Sequence, residues 1–250
     1  MLIDTHCHVL SSEYDNVNEI IDETFKSNVD KIIINGIDLK SSMEAVELAL
    51  KYDNVYAAVG LGPESVIDVD EDTIKSIEKL CLNDKVVAIG EIGLDYYWTT
   101  ETKEKQKYVF ESMLKIAKEY NKPVIVHSRK SINDTYNLLK EYNVTGIMHC
   151  YSGSIEMARE FVKIGFLIGV GGVVTFKNAK EIKEVVSNID LENIALETDS
   201  PYLAPEPFRG KQNKPMYVEE VAKKISEIKG ITYDEVVQIT GTSVVSKFDL

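Results

Sequence analysis

The stretch that decides the fold is Leu2-Ile3-Asp4-Thr5-His6-Cys7-His8, whose apolar first half, residues 2–6, reads as a strand. A doubly wound nucleotide-binding sheet carries a Gly-rich phosphate loop after its first strand. Here two histidines stand at that place instead. Seven more short runs rich in Val and Ile follow, as expected for parallel strands buried on both faces. They span residues 31–35, 55–59, 86–90, 124–127, 146–149, 166–170 and 194–197.

Stretches with helical periodicity separate these runs, and residues 101–120 show an approximate apolar stripe of Tyr108, Met113, Leu114 and Ala117. Eight β-α alternations predict an α/β fold, a closed (β/α)8 TIM barrel, with a doubly wound open sheet as the alternative. We expect one domain over residues 1–250, with one or two extra short C-terminal helices from Thr232 onward. The helical stretches span residues 20–27, 41–52, 72–82, 101–120, 133–142, 154–164, 179–187 and 217–228.

Composition narrows the classes of function. The net charge of −13 argues against broad, non-specific nucleic-acid binding, which needs a basic surface, but allows a polyanionic substrate held locally by metal ions. No apolar run reaches the ~18 residues that a membrane span needs, and the N-terminus shows no signal peptide. Three cysteines predict small buried or half-buried residues and no disulfide framework. A cytoplasmic protein without a membrane association or a stable protein partner is expected.

Six side chains carry most of the chemical information, because each lies at or just past the end of a predicted strand. They include all four histidines of the chain. In a barrel the carboxyl ends of the strands ring one mouth, so residues distant in sequence converge there. Six such groups are too many for one tetrahedral ion and suit two ions that share a carboxylate, the arrangement of two-metal hydrolysis. The six are His6, His8, Glu91, His127, His149 and Asp199.

Five stretches resemble the TatD family of metal-dependent deoxyribonucleases, within the wider amidohydrolase-like barrels. They are residues 4–8, 90–96, 126–129, 149–154 and 196–205, the last of which continues into Phe208-Arg209-Gly210-Lys211 and Asn213. The resemblance spans nearly the whole chain, and the 196–205 stretch Leu-Glu-Thr-Asp-Ser-Pro-Tyr-Leu-Ala-Pro is the most specific.

The resemblance implies a role for each ligand. His6, His8 and Asp199 would hold one divalent ion, His127 and His149 a second, and Glu91 would bridge them. The ions would be Zn, Mn, Mg, Ni or Fe, and a metal-bridged hydroxide would attack the substrate. Asp199 could also act as general base. The predicted catalytic residues are therefore Asp199, as ligand and base, and Glu91, as the bridging ligand. The implied activity is a 3′-5′ exonuclease, with DNA as its substrate.

Four further residues are candidates for substrate contacts. Arg129 could bind phosphate, or form an ordinary surface ion pair. Ser152 opens a helix whose amides could hold an anion, or simply caps it. Tyr96, with Tyr97 and Trp98, could stack on nucleobases, or pack in the core. Arg209 lies in a local basic cluster with Lys211 and Lys214, which could contact substrate or be a solvated charge run.

One segment departs from the family pattern. The family commonly carries His-Pro-His after the third strand, and this chain has Gly62-Pro63-Glu64 there. A carboxylate at this place would repel an anionic substrate. This departure keeps a second hypothesis open, a carbonyl-centred hydrolase such as a D-aminoacyl-tRNA deacylase or a cyclic amidohydrolase. A non-catalytic binding barrel is the third, and the complete ligand set argues against it.

Overall fold

The computed structural model describes residues 1–250. Its strands are nearly all buried, as continuous Val- and Ile-rich runs in a parallel sheet should be. The eight strands are β1 (Ile3–Cys7), β2 (Lys31–Asn35), β3 (Val55–Val59), β4 (Val86–Asp95), β5 (Val124–Arg129), β6 (Gly146–Met148), β7 (Phe166–Val170) and β8 (Ile194–Leu196).

The strands form one sheet in the order β1-β2-β3-β4-β5-β6-β7-β8. A doubly wound sheet reverses its strand order at a switch point, so the sequential order rules that alternative out. The predicted (β/α)8 barrel is confirmed, with a helix after each strand. The helices are α1 (Val17–Phe25), α2 (Leu39–Lys51), α3 (Glu71–Leu80), α4 (Lys103–Glu119), α5 (Ile132–Tyr142), α6 (Ile155–Lys163), α7 (Lys180–Asn188), α8 (Val218–Lys229) and α9 (Tyr233–Phe248).

Two strands run further than their apolar sequences suggested. We expected β4 to end at Gly90, but it continues to Asp95, so Glu91 lies within the strand. Likewise β5, expected over residues 124–127, continues to Arg129, so His127 lies within the strand and not at its end. Gly93 allows this close pairing, because a Cβ there would lie 2.0 Å from the carbonyl oxygen of His127. His127 is therefore held by paired backbone, while Glu91 lies at an irregularity in the pairing of β4 with β5 and its N–H donates to the carbonyl oxygen of Gly36 at 2.8 Å.

The C-terminal segment forms one long helix, which corrects the expectation of one or two short ones. Helix α9 spans 16 residues. Its start is fixed by a capping box in which Thr232 and Glu235 satisfy each other's backbone N–H groups. The helix lies against the chain's own start, since a Cβ on Gly241 would meet the carbonyl oxygen of Met1 at 2.1 Å. This close approach explains a glycine in the middle of the helix.

The predicted stripe of α4 is correct except at one position. Met113, Leu114 and Ala117 are buried, but Tyr108 is exposed. The buried face is completed by Val109 and Phe110. The cysteine prediction is confirmed: Cys7 and Cys81 are buried, Cys150 is half-buried, and none forms a disulfide.

The chain divides into two compact units. The first comprises residues 1–34, 150–163 and 167–250, and the second comprises residues 35–149 and 164–166. The expectation of a single domain over residues 1–250 stays a prediction. None of the nine helices combines the length and the apolar character that a bilayer crossing requires.

Candidate metal centre

In the first unit, the structure brings His6, His8 and Asp199 together, and we call them the first ligand group. The Nε2 atoms of the two histidines are 3.1 Å apart. Asp199 Oδ1 lies 3.6 Å from Nε2 of His8 and 3.9 Å from Nε2 of His6. Atoms bound at about 2.0–2.1 Å to a tetrahedral ion lie roughly 3.3–3.4 Å from one another. The spacing and the donor types of this group therefore fit a divalent transition metal.

A buried hydrogen-bond network positions Asp199 beside β1. Asp4 is fully buried and accepts hydrogen bonds from Thr198 N at 2.9 Å, from Thr198 Oγ1 at 2.6 Å and from His6 N at 3.2 Å. Next to it, Asp199 N donates to the carbonyl oxygen of His6 at 2.9 Å. Burial raises the pKa of Asp4 well above its usual value, and the bonds from Thr198 and His6 oppose that rise. Asp4 is thus a structural anchor for two ligands, and sequence reasoning did not single it out.

In the second unit, Glu91, His127 and His149 form the second ligand group. One donor atom from each lies within 4.8 Å of the other two. Glu91 Oε1 is 3.1 Å from Nδ1 of His127, and the rings of His127 and His149 have centroids 6.3 Å apart. His149 extends the pairing of β5 with β6, because its N–H donates to the carbonyl oxygen of Val126 at 2.9 Å.

Asp95 orients His127 from the other side of its ring. Asp95 Oδ2 lies 3.1 Å from Nε2 of His127, and its Oδ1 accepts from the N–H of Tyr97 at 2.8 Å. The side chain of Gln106 bonds both backbone groups of Asp95 at 2.9 Å. An outer carboxylate of this kind fixes the tautomer and angle of a metal-binding imidazole, leaving Nδ1 for the ion. Asp95 stood in the 90–96 stretch, but sequence reasoning assigned it no role.

The two carboxylates also set the charge of His127 in the metal-free protein. Burial lowers the pKa of His127, but hydrogen bonds with Asp95 and Glu91 outweigh it and raise that pKa to about 10. Conversely, burial raises the pKa of Asp95, and His127 and the N–H of Tyr97 lower it overall. A divalent ion at Nδ1 would take the place of the proton, so metal binding here is coupled to proton release.

Glu64 adds a negative charge near the second ligand group. It lies on a short 3₁₀ turn, Pro63–Ser65, and is an exposed residue. Its carboxyl is close enough to Glu91 and His127 for their charges to act on it. Although the residue as a whole is exposed, partial desolvation of its carboxyl and the charge of Glu91 raise the pKa of Glu64, and His127 opposes this rise. The departure from the family's His-Pro-His therefore changes the electrostatics at the second ligand group.

Glu197 holds the backbone just after His149. It is fully buried at the end of β8, and its Oε1 accepts a hydrogen bond from Cys150 N at 2.6 Å. Cys150 has a left-handed φ of 44°, which turns the chain sharply at this point. Glu197 belongs to the 196–205 stretch, but no sequence pattern there predicts that its carboxylate binds backbone.

The four candidates for substrate contact have different surroundings. The hydroxyl of Tyr96 donates to Asp134 at 3.0 Å, so its ring edge is already engaged. Arg209 places its guanidinium 3.8 Å from the ring centroid of Phe176. Ser152 is exposed, and the hydroxyl that accepts from the first turn of α6 belongs to Ser154, at 3.4 Å from Met157 N.

Arg129 lies over aromatic rings and not in a carboxylate ion pair. Its guanidinium carbon is 3.8 Å from the ring centroid of Tyr97 and 5.3 Å from that of Trp98. Both aromatic side chains are exposed, so the alternative of core packing is wrong for them.

In the basic cluster, Lys214 forms an ion pair with Glu23 at 2.6 Å. The substrate roles of Arg129, Ser152, Tyr96 and Arg209 stay predictions.

Comparison with known proteins identifies relatives along the whole chain. A family model described as "TatD related DNase" matches residues 3–249. The uncharacterized metal-dependent hydrolase YabD of Bacillus subtilis is 45% identical over 244 residues, which cover 96% of each chain. The uncharacterized metal-dependent hydrolase YcfH of Escherichia coli K12 is 35% identical over 246 residues, covering 96% of this chain and 92% of the relative.

Among solved structures, YJJV, a TatD homologue from Escherichia coli K12, superposes with a TM-score of 0.92 at 29% identity. The match covers 100% of this chain and 98% of the other. The fold, the histidine and carboxylate donors and these relatives together define the class, a metal-dependent hydrolase. Within that class, the chain belongs to the TatD family.

Proposed function

We propose that the chain is a divalent-metal-dependent phosphodiesterase, a deoxyribonuclease that removes nucleotides from the 3′ ends of single-stranded DNA. The observation that carries the proposal is the convergence of His6, His8 and Asp199, whose donor atoms lie 3.1–3.9 Å apart. The family description, "TatD related DNase", supports DNA as the substrate.

We propose two divalent ions as the cofactors. Bound ions of this kind acidify water and offset the negative charge of a phosphate. In this arrangement Glu91 would hold both ions, and the remaining five ligands would divide between them as the family resemblance implies. The donor set of imidazoles with a few carboxylates favours Zn²⁺, Mn²⁺, Ni²⁺ or Fe²⁺ over Mg²⁺, which prefers oxygen ligands. The six proposed ligands are His6, His8, Glu91, His127, His149 and Asp199.

The protein's own contribution is positioning and proton transfer. The side chain of Asp199 is 15% exposed, whereas that of His6 is fully buried. The carboxylate of Asp199 is therefore accessible to solvent. That carboxylate can accept a proton from an attacking water as general base. Asp4 keeps Asp199 beside β1 through Thr198, and Asp95 keeps His127 at a fixed ring angle. Both anchors limit the freedom of the ligands before substrate binds.

The test is cleavage of 5′-end-labelled single-stranded DNA by protein loaded with Mn²⁺, Zn²⁺ or Mg²⁺. A ladder that shortens progressively from the 3′ end supports the proposal, and a terminal 3′ phosphorothioate should stall it. Asp199→Asn is the matched variant, expected to abolish cleavage while the fold, followed by circular dichroism, is retained. Metal-loaded protein that leaves DNA intact beside an active family member would refute the proposal.

Glu64 favours a second candidate, hydrolysis at a carbonyl. Its carboxyl raises the negative charge near the second ligand group, which disfavours a phosphodiester more than a neutral ester or amide. The same loaded protein is therefore offered D-aminoacyl-tRNA and cyclic amides. Turnover of either, with no DNA cleavage, selects this candidate. Restoring the family pattern by Gly62→His with Glu64→His should then shift the preference toward DNA.

A further inference from the structure

Tyr97, Trp98 and Arg129 form an exposed aromatic cluster, which we call the Trp98 platform. Tyr97 is 51% exposed and Trp98 is 72% exposed. The two rings meet edge to face, with centroids 4.9 Å apart and planes at 86°. The guanidinium of Arg129 covers the Tyr97 ring at 3.8 Å. A contiguous exposed aromatic patch marks a binding site more often than the single exposed apolar side chains found on most protein surfaces.

The platform is attached to the second ligand group through paired strands. Arg129 is two residues beyond His127 on β5 and pairs in register with Asp95 on β4. The N–H of Tyr97 donates to Asp95 Oδ1 at 2.8 Å, and Asp95 Oδ2 lies 3.1 Å from Nε2 of His127. One carboxylate therefore links the platform to a proposed metal ligand. A molecule stacked on the platform would lie next to the second ligand group.

The chemistry of the platform favours an occupant that is both planar and anionic. Aromatic faces and a guanidinium plane stack on flat π systems. Arg129 and the adjacent Lys130, both exposed, supply positive charge in a protein whose net charge is −13. An apolar protein partner would have to desolvate the guanidinium of Arg129 at the centre of the cluster, whereas a nucleotide uses it.

We propose that the Trp98 platform stacks a nucleobase of a single-stranded nucleic acid and so holds the strand beside the second ligand group. This inference rests on the proposed function for the identity of the strand. It assigns binding to Tyr97, Trp98 and Arg129 as a unit. Tyr96 is excluded because Lys103 Nζ lies over its ring, 4.6 Å from the centroid, and Asp134 holds its hydroxyl. Stacking of this type tolerates any base, because every base has a π face.

Trp98 reports directly on the platform because it is the chain's only tryptophan. Metal-loaded protein is titrated with a short phosphorothioate-linked oligothymidylate, which resists cleavage, and Trp98 emission is recorded. A second titration uses the same backbone with abasic sites in place of the bases. Saturable quenching by the oligothymidylate is expected. The abasic strand should bind about 5-fold to 150-fold more weakly, the range of one lost base–aromatic stack.

Variants separate stacking from general charge effects, with binding followed by anisotropy of a labelled oligothymidylate. Tyr97→Ala, Trp98→Ala and Arg129→Ala should each weaken binding within the same range. Tyr108→Ala is the matched control, since Tyr108 is also about half exposed, at 48%, and lies under a lysine, with Lys105 Nζ 5.6 Å from its ring centroid. Its affinity should equal that of the wild type.

Three outcomes overturn the proposal. The abasic strand may bind as tightly as the oligothymidylate, or all three platform variants may keep wild-type affinity. Alternatively, Trp98 emission may depend on protein concentration without nucleic acid, and Trp98→Ala may convert a dimer to a monomer, which identifies a second copy as the occupant. If the protein cleaves DNA but the three platform variants bind it with wild-type affinity, only the platform proposal is refuted. Base-dependent binding without cleavage under any metal refutes only the proposed deoxyribonuclease.

Discussion

Replacing Asp95 by Asn tests whether an outer carboxylate controls the second ligand group. Asp95 is 4% exposed and its two oxygens serve two partners, Nε2 of His127 at 3.1 Å and the N–H of Tyr97 at 2.8 Å. Asn offers one carbonyl oxygen, so it can accept from only one of them, and it carries no charge. The change therefore weakens the orientation of His127 without removing a metal ligand.

The size of the effect follows from these two bonds. A hydrogen bond to a charged group contributes about 1.5–3 kcal/mol, and one between neutral groups about 0.5–1.5 kcal/mol. The difference is roughly 1.4 kcal/mol, which is a factor of about ten in an equilibrium constant. The NH₂ group of Asn cannot accept a hydrogen bond, so the donor that it faces loses its partner and the cost increases. We expect metal affinity to fall about 10-fold to 100-fold, the range typical of such partners.

The assay is competition for Zn²⁺ or Mn²⁺ against a chromophoric chelator, with metal content measured by elemental analysis. Asp72→Asn provides the matched control, because it makes the same charge change at a side chain that is 91% exposed on α3. Asp72→Asn should bind metal like the wild type. If Asp95→Asn also binds metal like the wild type, Asp95 does not orient a ligand, and the reasoning is wrong.

Three further predictions concern stability. Asp4→Ala leaves three buried donors, on Thr198 and His6, without their acceptor, at a cost of about 1–3 kcal/mol each. Urea unfolding should therefore show a loss of roughly 3 kcal/mol or more in the free energy of unfolding, and a change below about 1 kcal/mol contradicts the anchoring role. In chelator-treated protein, His127 has a pKa raised to about 10, so its stabilising contribution is complete below its usual pKa of about 6.5 and is lost as the pH rises toward 10. The Tm should fall across that window, and His127→Asn should lack that component of the fall. If residues 1–250 are one domain, far-UV circular dichroism and Trp98 fluorescence should report one coincident unfolding transition; two separate midpoints would show that the two units unfold independently.

The sequence predicted the strands best where nothing polar interrupted them. Strands β2, β3 and β7 have the expected bounds, because each is a short apolar run with polar or Gly ends. Strand β4 was cut short at Gly90, because the charge of Glu91 looks like a strand end. A carboxylate buried for a functional reason breaks the periodicity on which such predictions depend.

The helix α9 and the role of Asp95 were missed for different reasons. The middle of α9 reads Gln238-Ile-Thr-Gly-Thr-Ser-Val, which is poor in strong helix formers, and only its capping box signalled the start. The role of Asp95 could not be predicted from the sequence, because its contact with His127 depends on the register of β4 against β5. The ligand residues, by contrast, were predictable, because histidines are rare in this chain and all belong to the two groups.

The bond between Asp4 and Thr198 spans 194 residues, whereas that between Asp95 and His127 spans 32. Closing the longer loop costs roughly 1.5 kcal/mol more in chain entropy. The order of the residues along the chain also separates the two ligand groups. All three residues of the second group have been synthesised by residue 149, whereas the first group has both histidines by residue 8 and gains Asp199 only 191 residues later. A chain truncated before β8 keeps His6 and His8 but lacks their carboxylate partner.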